Sequence, residues 1–228
     1  MKKHLITGAA IVVAGLMLPL SVAKLKSYDR TVDVKGLCEK EFKADRVIWP
    51  LTYKVVSNDL NSALEETEKN NAAILAFLEN GGIARSEITV NAPKISDKLA
   101  EEYGNNDRIY RYLCTSVVTV CSKDVDTVLE LMDRKSELIR KGIPLTEVWD
   151  NKTEFKFEGL NGVKPEMIEE ANANARQAAK KFAKDSDSKL GKIKRATQGT
   201  FSIEDRDSNT PYLKRVRVVT NVTYYLEK

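Results

Sequence analysis

Pairs of carboxylates are the side chains of this sequence best suited to catalysis. They occur at Glu39/Glu41, Glu101/Glu102 and Glu169/Glu170. Two carboxyl groups at a suitable separation can act as acid and base in a glycosidase. Adjacent acids are also common on protein surfaces, and acids near the start of a helix are stabilised by its positive N-terminal end. These pairs therefore predict, at most, a hydrolase that works with carboxylates alone.

Other familiar catalytic sites are not supported. The sequence holds a single histidine, His4, whereas Ser-His-Asp catalysis, Cys-His catalysis and multi-histidine metal sites all need imidazole in the folded body. Asp185/Asp187 and Asp205/Asp207 lack the glycine and closing glutamate of a calcium-binding EF-hand. No glycine-rich phosphate-binding motif is present. We expect no catalytic residues, no metal and no cofactor, and hence no enzyme.

Three cysteines, Cys38, Cys114 and Cys121, lie in strand-like sequence. Buried free cysteines behave as small apolar residues, and this is the first interpretation. An exported protein meets an oxidising compartment, so one disulfide with one free thiol is the second interpretation. A reactive thiol sensor is the third, although no CxxC motif supports it.

An export segment is predicted at the N-terminus. Lys2 and Lys3 precede an uncharged run at residues 5–23. This run is either a signal peptide, with small residues at Ser21 and Ala23 for cleavage, or a single membrane anchor. Both alternatives place residues 1–26 in the targeting segment and the rest outside the cytoplasm, secreted to the periplasm or anchored to the inner membrane.

The charge balance speaks against nucleic-acid binding. The chain has 228 residues, 42% hydrophobic and 31% charged, with a net charge of +4. Loss of residues 1–23 would remove Lys2 and Lys3 and leave +2. Nucleic-acid binding needs a pronounced basic face, whereas here acids and bases alternate as on a solvated surface. Membrane contact is expected only through residues 5–23.

Hydrophobic periodicity predicts an α+β domain over residues 27–228, with antiparallel sheets built from β-hairpins and about three packed helices. The order is ββαββαβαββ, preceded by an N-terminal hydrophobic helix. The predicted strands are Arg30–Cys38, Asp45–Val56, Ile83–Ile95, Arg108–Cys121, Leu145–Phe157, Ile193–Ile203 and Val216–Leu226. The helices begin near Leu60, Ser122 and Pro165. Two strand–helix stretches, each ending in Gly-Ile, would fit two β-α-β sub-repeats.

Several residues refine these elements. Pro50 lies within the second strand, which predicts a sheet edge or a bulge there. Trp49 and Trp149 could be surface anchors for a partner, but tryptophan in strand-like sequence more often belongs to the core. The third helix is predicted to bury a stripe formed by Ala171, Ala175, Ala178, Phe182 and Ala183.

Several short stretches in this order resemble the SIMPL-domain family of bacterial envelope proteins. They are Arg30–Trp49, the helix opening Asn58-Asp59-Leu60, Lys123-Asp124-Val125-Asp126, and Lys189-Leu-Gly191-Lys-Ile. The resemblance covers about residues 30–228. It implies an α+β domain of antiparallel sheets, secreted or anchored in the envelope, without established catalytic residues. It also implies large homo-oligomers in some members and a link to stress tolerance in others.

The function predicted from the sequence is that of a non-enzymatic, exported envelope protein acting by self-association or partner binding. Its partner would be a second copy of the chain or another envelope protein. A carboxylate-only hydrolase and a cysteine-based redox sensor are the alternatives. A hydrolase requires a cleft with two carboxylates and one raised pKa, and a sensor requires an exposed cysteine.

Overall fold

The computed structural model describes residues 30–100 and 109–227. The predicted targeting segment and Glu101/Glu102 lie outside these residues. No helix in the described ranges is long and apolar enough to cross a membrane. The chain forms two compact units: unit 1 includes residues 30–41, 160–204 and 215–227, and unit 2 includes residues 42–100, 109–159 and 205–214.

The described residues form nine strands and four α-helices. The strands are β1 (Thr31–Lys43), β2 (Arg46–Ser57), β3 (Ile88–Val90), β4 (Lys94–Asp97), β5 (Tyr112–Ser122), β6 (Glu154–Lys156), β7 (Lys189–Gln198), β8 (Ser202–Asp205) and β9 (Leu213–Glu227). The helices are α1 (Leu60–Asn80), α2 (Val125–Asp133), α3 (Ser136–Arg140) and α4 (Leu160–Asp185), and Arg85–Glu87 forms a 3₁₀ turn. This confirms the prediction of an α+β fold with antiparallel sheets.

Unit 1 is a sheet in the order β1-β9-β7, with β8 also paired to β9, covered by α4. The β7–β9 pair is the antiparallel hairpin predicted at the end of the chain. Strands β1 and β9 also run antiparallel, since the Leu226 amide donates to the Arg30 carbonyl and Arg215 pairs with Glu39. Because α4 covers one face, residues alternate along β1 between buried and exposed positions.

Helix α4 approaches the sheet through small side chains. Its buried stripe consists of Met167, Ala171, Ala175, Ala179 and Ala183. A Cβ atom on Gly36 of β1 would lie 1.8 Å from the carbonyl oxygen of Ala171, so only glycine fits there. The predicted alanine stripe is therefore confirmed in part. Phe182, predicted to be in it, is 59% exposed because it lies one position before Ala183 and therefore off the four-residue spacing.

Unit 2 is a sheet in the order β3-β5-β2-β6, with β4 also paired to β5. Strands β2 and β5 pair without a register shift from Val47↔Ser122 to Ser57↔Tyr112. One face packs against α1, α2 and α3 through large side chains. They include Tyr53, Ile74, Leu78, Leu131 and Leu138, each almost completely buried.

Aspartates begin two helices of unit 2. Asp59 accepts a hydrogen bond from the Ser62 amide at 2.8 Å, and Asp124 accepts one from the Thr127 amide at 3.1 Å. Each aspartate thereby accepts from an amide of the first helical turn, which has no backbone acceptor within the helix. These contacts lower the pKa of both carboxyl groups; at Asp124 the largest cause is the Thr127 hydroxyl. Asp124, rather than the predicted Ser122, therefore caps α2.

The polar middle of α1 contributes to the interior of unit 2. The Tyr53 hydroxyl is 2.8 Å from both the Thr67 carbonyl and Asn71 Oδ1, and Ser116 donates to the same Asn71 oxygen at 3.0 Å. Burial raises the pKa of Tyr53. Polar residues in the middle of α1 are thus hydrogen-bonded to sheet residues, which removes the cost of burying them.

The structure departs from the predicted elements in several places, and the predicted strand Ile193–Ile203 is divided between β7 and β8. The predicted strand Ile83–Ile95 consists of the 3₁₀ turn and two short strands, β3 and β4. The predicted second helix divides into α2 and α3 where the amides of Arg134 and Lys135 form tighter i→i−3 bonds. The predicted strand Leu145–Phe157 is regular only in β6.

Candidate binding groove

A groove in unit 2 arises where the outer edge of β2 loses its neighbour. Strand β6 pairs only with Arg46–Ile48. The chain meets β2 again at Thr52, whose carbonyl accepts a hydrogen bond of 2.8 Å from the Thr146 amide. Pro50 lies between these contacts and has no amide hydrogen to offer a neighbouring strand. Pro50 therefore lies at a locally open edge, although β2 as a whole has strands on both sides.

The chain between these contacts forms an arm, residues 145–153, that ends in a tight turn. The Asn151 amide donates to the Val148 carbonyl at 3.0 Å, which places Trp149 at the first central position of the turn. Trp149 is 85% exposed, whereas Trp49 on β2 is 6% exposed. The Lys152 ammonium lies 3.9 Å from the centre of the Trp149 ring, a cation–π distance. The core position predicted for strand-like tryptophan is correct for Trp49 and wrong for Trp149.

The groove lies between this arm, the open edge of β2 and helices α2 and α3. It has a volume of about 860 Å³, within the range of ligand-binding pockets. Its apolar lining includes Trp49, Pro50, Leu51, Met132, Ile139 and Leu145. Ile139 of α3 is 54% exposed at the groove.

One polar group of the groove has no partner. Thr52 lines the groove and is 2% exposed, yet its hydroxyl oxygen makes no hydrogen bond. A buried hydroxyl without a partner destabilises a protein by about 1–3 kcal/mol, so such groups are rare. The hydroxyl oxygen itself is closed off from solvent, so it is a feature of the protein interior beneath the groove.

The loop of residues 205–211 contributes Ser208 and Pro211 to the groove. Asp207 holds it by accepting hydrogen bonds of 2.8 Å from the amides of Asn209 and Thr210. The Thr210 hydroxyl and then the Arg206 guanidinium hold the pKa of Asp207 well below its usual range. This side of the groove is therefore shaped by a local hydrogen-bonded turn.

The ionisable residues of the groove do not include the two carboxylates that a glycosidase needs. Lys135, Glu147 and Lys152 line it, and Lys135 lies 3.8 Å from Glu147. Glu147 is the single carboxylate among the lining residues, whereas glycosidase chemistry needs two. The groove is therefore better suited to binding an apolar group than to glycosidase chemistry.

The carboxylates selected from the sequence lie mostly in ion pairs. Glu170 binds Lys40 at 3.0 Å together with Glu166, and this hydrogen bond lowers the pKa of Glu170. Glu39 pairs with Arg215 at 3.4 Å, and Asp205 pairs with Lys214. Wherever a carboxyl pKa shift is resolved in the described residues, it is downward. These carboxyls are Asp59, Asp97, Asp124, Glu137, Glu170 and Asp207.

Three more acids named from the sequence take no part in such pairs among the described residues. Glu169, Asp185 and Asp187 are exposed on unit 1. In the described part of the chain, no three histidine, cysteine or acidic side chains gather as metal ligands would.

All three cysteines are free thiols. Cys38 and Cys114 are buried, and burial is the largest cause that raises the pKa of each thiol. Cys121 is exposed and lies 3.6 Å from the Arg46 guanidinium. Cys114 and Cys121 lie seven residues apart on β5, roughly 23 Å at the usual strand rise, so they cannot form a disulfide with each other.

Comparison with known families identifies the family of the chain. A profile for SIMPL, described as a protein of unknown function (DUF541), matches residues 32–224, most of the chain. The chain belongs to the SIMPL family. The match includes both units of this SIMPL protein, since it extends from β1 to β9. It confirms the resemblance found in the sequence. No curated protein matches the chain.

Sequence reasoning did not find the groove of this SIMPL protein. Pro50 indicated the open edge, and Trp149-Asp150-Asn151 contains turn-forming residues that could have indicated an exposed tryptophan. The groove forms only because distant parts of the sequence come together: Thr52 of β2, the 145–153 arm and the 205–211 loop. No local pattern reports such contacts.

Proposed function

We propose that this SIMPL protein is a non-enzymatic, exported envelope protein that acts by binding a partner, either a second copy of itself or another envelope protein. The observation that carries the proposal is the groove of unit 2, with Trp149 exposed beside it. Exposed tryptophans at well-formed apolar surfaces are typical of binding hot spots. Export rests on the uncharged run at residues 5–23 after two lysines.

The carboxylates also favour binding over hydrolysis. A catalytic acid must keep its proton near neutral pH, which requires a raised pKa. The resolved carboxyl shifts in the described residues are all downward, and hydrogen bonds to hydroxyls, amides or basic side chains are the leading causes. These acids therefore stabilise local structure as anions.

A thiol sensor is the second candidate. Cys121 is exposed, and Arg46 lies within 3.6 Å of its sulfur. An exposed thiol is accessible to oxidants and to other thiols. Such a sensor would act by joining two chains or by forming a mixed disulfide at Cys121.

The absolute mass of the full chain separates these candidates. It can be measured by light scattering on a sizing column, over a range of concentrations, with and without reductant. We expect a discrete assembly that survives reductant and is retained in Cys121→Ser. An assembly lost in reductant and in Cys121→Ser would favour the sensor. A monomer throughout would contradict self-association and leave a separate envelope partner to be sought by cross-linking in cells.

A further inference from the structure

One corner of unit 1 receives the chain from its N-terminus. The guanidinium of Arg30 donates a hydrogen bond of 2.9 Å to the Ser188 hydroxyl, and the Arg30 carbonyl accepts one from the Leu226 amide. Ser188 lies in the turn of residues 186–188, which joins α4 to β7. Arg30 and this turn together form the entry corner of unit 1.

Helix α4 runs antiparallel to β1 and ends at the entry corner. Its first turns lie beside the far end of β1, where Lys40 binds Glu166 at 2.6 Å and Glu170 at 3.0 Å. Its middle lies against Gly36, and its last residue is followed directly by the 186–188 turn. The two ends of α4 therefore lie at opposite ends of β1.

The charge of the chain changes sign along this helix. Residues 160–179 hold two bases and three acids, whereas residues 180–198 hold seven bases and two acids, an excess of five positive charges. All seven bases are exposed: Lys180, Lys181, Lys184, Lys189, Lys192, Lys194 and Arg195. The salt bridges that join described residues of unit 1 involve Lys40 and Arg215 instead. The exposed side chains of residues 180–198 thus form a basic surface beside the entry corner.

Local structural roles account for part of this charge. Bases near the end of a helix are stabilised by its negative C-terminal end, and lysines on an edge strand such as β7 hinder pairing with other chains. On β9, Glu227 lies opposite Lys189 and offsets one of the bases. None of these roles explains why large apolar side chains are exposed at the same place.

Two exposed apolar side chains belong to the basic surface. Phe182 is 59% exposed and Ile193 is 55% exposed, and each is next to a lysine in the sequence. Ile193 pairs with Tyr224, which is buried beneath α4, so Ile193 lies on the side of the sheet that carries the helix. Bases combined with exposed apolar side chains fit an anionic membrane, where the bases meet the head groups and the apolar side chains reach the acyl boundary.

The sequence also brings the basic surface close to a membrane. Residues 24–29 join the uncharged run at residues 5–23 to Arg30. Whatever its conformation, a chain of this length spans at most roughly 25 Å. A run retained as an anchor would therefore hold the entry corner within this distance of the membrane. An acidic protein would also be attracted by the bases, but the chain itself would not hold it there.

We propose that the basic surface of unit 1 docks on an anionic lipid membrane, with its bases at the phosphate head groups and Phe182 and Ile193 at the acyl boundary. This inference rests on export in the proposed function and specifies where the protein contacts the envelope. It goes beyond the sequence, which predicts membrane contact only through residues 5–23. The groove of unit 2 is not part of this contact.

Lysine acetylation of the full chain in vesicles tests the proposal. The chain is incorporated into vesicles of phosphatidylcholine, either alone or mixed equally with phosphatidylglycerol, and treated with a membrane-impermeant acetylating reagent. Mass spectrometry then gives the rate at each lysine. In the anionic vesicles, acetylation of Lys181, Lys184, Lys192 and Lys194 should slow about fivefold or more, since one base at an anionic surface contributes about fivefold in affinity. High salt should remove most of this protection.

Exposed lysines of unit 2 provide the internal control. Lys69 and Lys141 are both exposed and should be acetylated at the same rate in the two kinds of vesicle. Because both sets of lysines are read in the same sample, differences in incorporation or in reagent do not affect the comparison.

A double charge reversal tests the contribution of the bases. Lys192→Glu/Lys194→Glu lowers the excess of five charges to one and should restore most of the acetylation of Lys181 and Lys184 in anionic vesicles. Lys69→Glu/Lys141→Glu is the matched control, because it changes the net charge of the chain equally but lies on unit 2, and it should leave the protection unchanged. Circular dichroism should show that both variants fold, since all four side chains are exposed.

Phe182→Ala tests the apolar part of the contact. It should speed the acetylation of Lys181 and Lys184 in anionic vesicles severalfold, because the aromatic ring no longer reaches the acyl boundary. Ile139→Ala is its control, since Ile139 is an exposed apolar residue of unit 2, and it should have no such effect. Equal effects of the two substitutions would overturn the placement of Phe182 at the membrane.

The outcomes separate this inference from the proposed function. Equal acetylation of the basic surface in neutral and anionic vesicles would overturn the inference and leave the proposed function standing. Protection by soluble polyglutamate but not by anionic vesicles would overturn the lipid assignment in favour of an acidic protein. A cytoplasmic location of the chain, found by cell fractionation, would overturn export and with it both proposals.

Discussion

The two units bury their interiors in opposite ways. In unit 1, α4 meets the sheet through alanines, and Gly36 allows its backbone to lie almost in contact with β1. In unit 2, the helices and the sheet are separated by large side chains such as Tyr53, Ile74 and Leu131. An interface of small residues has no room for added atoms, whereas a core of large residues loses most when atoms are removed.

The units differ in their surfaces as well. Each contains a buried threonine hydroxyl without a partner, Thr220 in unit 1 and Thr52 in unit 2. Thr52 lines a groove, with Trp149 on its rim, whereas Thr220 lies on the face of β9 that packs beneath α4. We infer that unit 1 is built for close packing and that unit 2 carries the protein-binding surface. Four substitutions can break or sharpen this contrast.

Ile74→Ala should have the largest effect. Ile74 is completely buried in unit 2, and removing its side chain should lower the free energy of unfolding by about 2–5 kcal/mol because a cavity remains. Urea denaturation measures this loss. Ile95→Ala is the control, because Ile95 is 41% exposed, and it should cost about 1 kcal/mol or less. Equal losses would mean that unit 2 does not depend on its large side chains.

Gly36→Ala should affect unit 1 almost as strongly. The added Cβ would lie 1.8 Å from the Ala171 carbonyl oxygen and 2.7 Å from the Ala175 nitrogen. Because both are backbone atoms, α4 must move, at a cost of about 3 kcal/mol. Gly162→Ala on the same helix meets no atom within 4 Å and should be neutral or stabilising by about 0.5–1 kcal/mol. A tolerated Gly36→Ala would contradict the close approach of α4.

Tyr53→Phe should lower the stability of unit 2 by about 1 kcal/mol, because it removes one buried hydrogen bond. Burial raises the folded pKa of Tyr53 above its unfolded value. The wild type should therefore lose stability as the pH rises above about 10, when the unfolded chain loses this proton more readily. Urea denaturation at neutral and alkaline pH should show a smaller alkaline loss for Tyr53→Phe. An identical pH dependence in both proteins would mean that Tyr53 ionises equally in the folded and unfolded states.

Thr220→Val should have the smallest effect, and it should be stabilising. The substitution keeps the shape and removes a buried hydroxyl that has no partner, which should raise the free energy of unfolding by about 1 kcal/mol. A thermal melt measures the change. Thr52→Val should stabilise the chain similarly, because the Thr52 hydroxyl is also buried without a partner. A destabilised Thr220→Val would show that this hydroxyl has a partner in solution.

Local patterns predicted much of the fold and little of the groove. The helix begun by Asp59, the alanine stripe and the final hairpin follow from neighbouring residues, whose spacing reports which side is buried. The division between α2 and α3 and the short β6 depend on tertiary contacts. The exposure of Trp149, in contrast, had a local signal in the turn-forming residues Asp150 and Asn151, which the strand interpretation overlooked.

Hydrogen exchange of the full chain at low and high protein concentration tests the central claim, that unit 2 carries the surface through which the protein associates. We predict slower exchange at high concentration for the amides of residues 146–153, with no change in α4 or β7. Concentration-dependent protection of α4 or β7 that leaves residues 146–153 unchanged would place the contact on unit 1 and contradict this account.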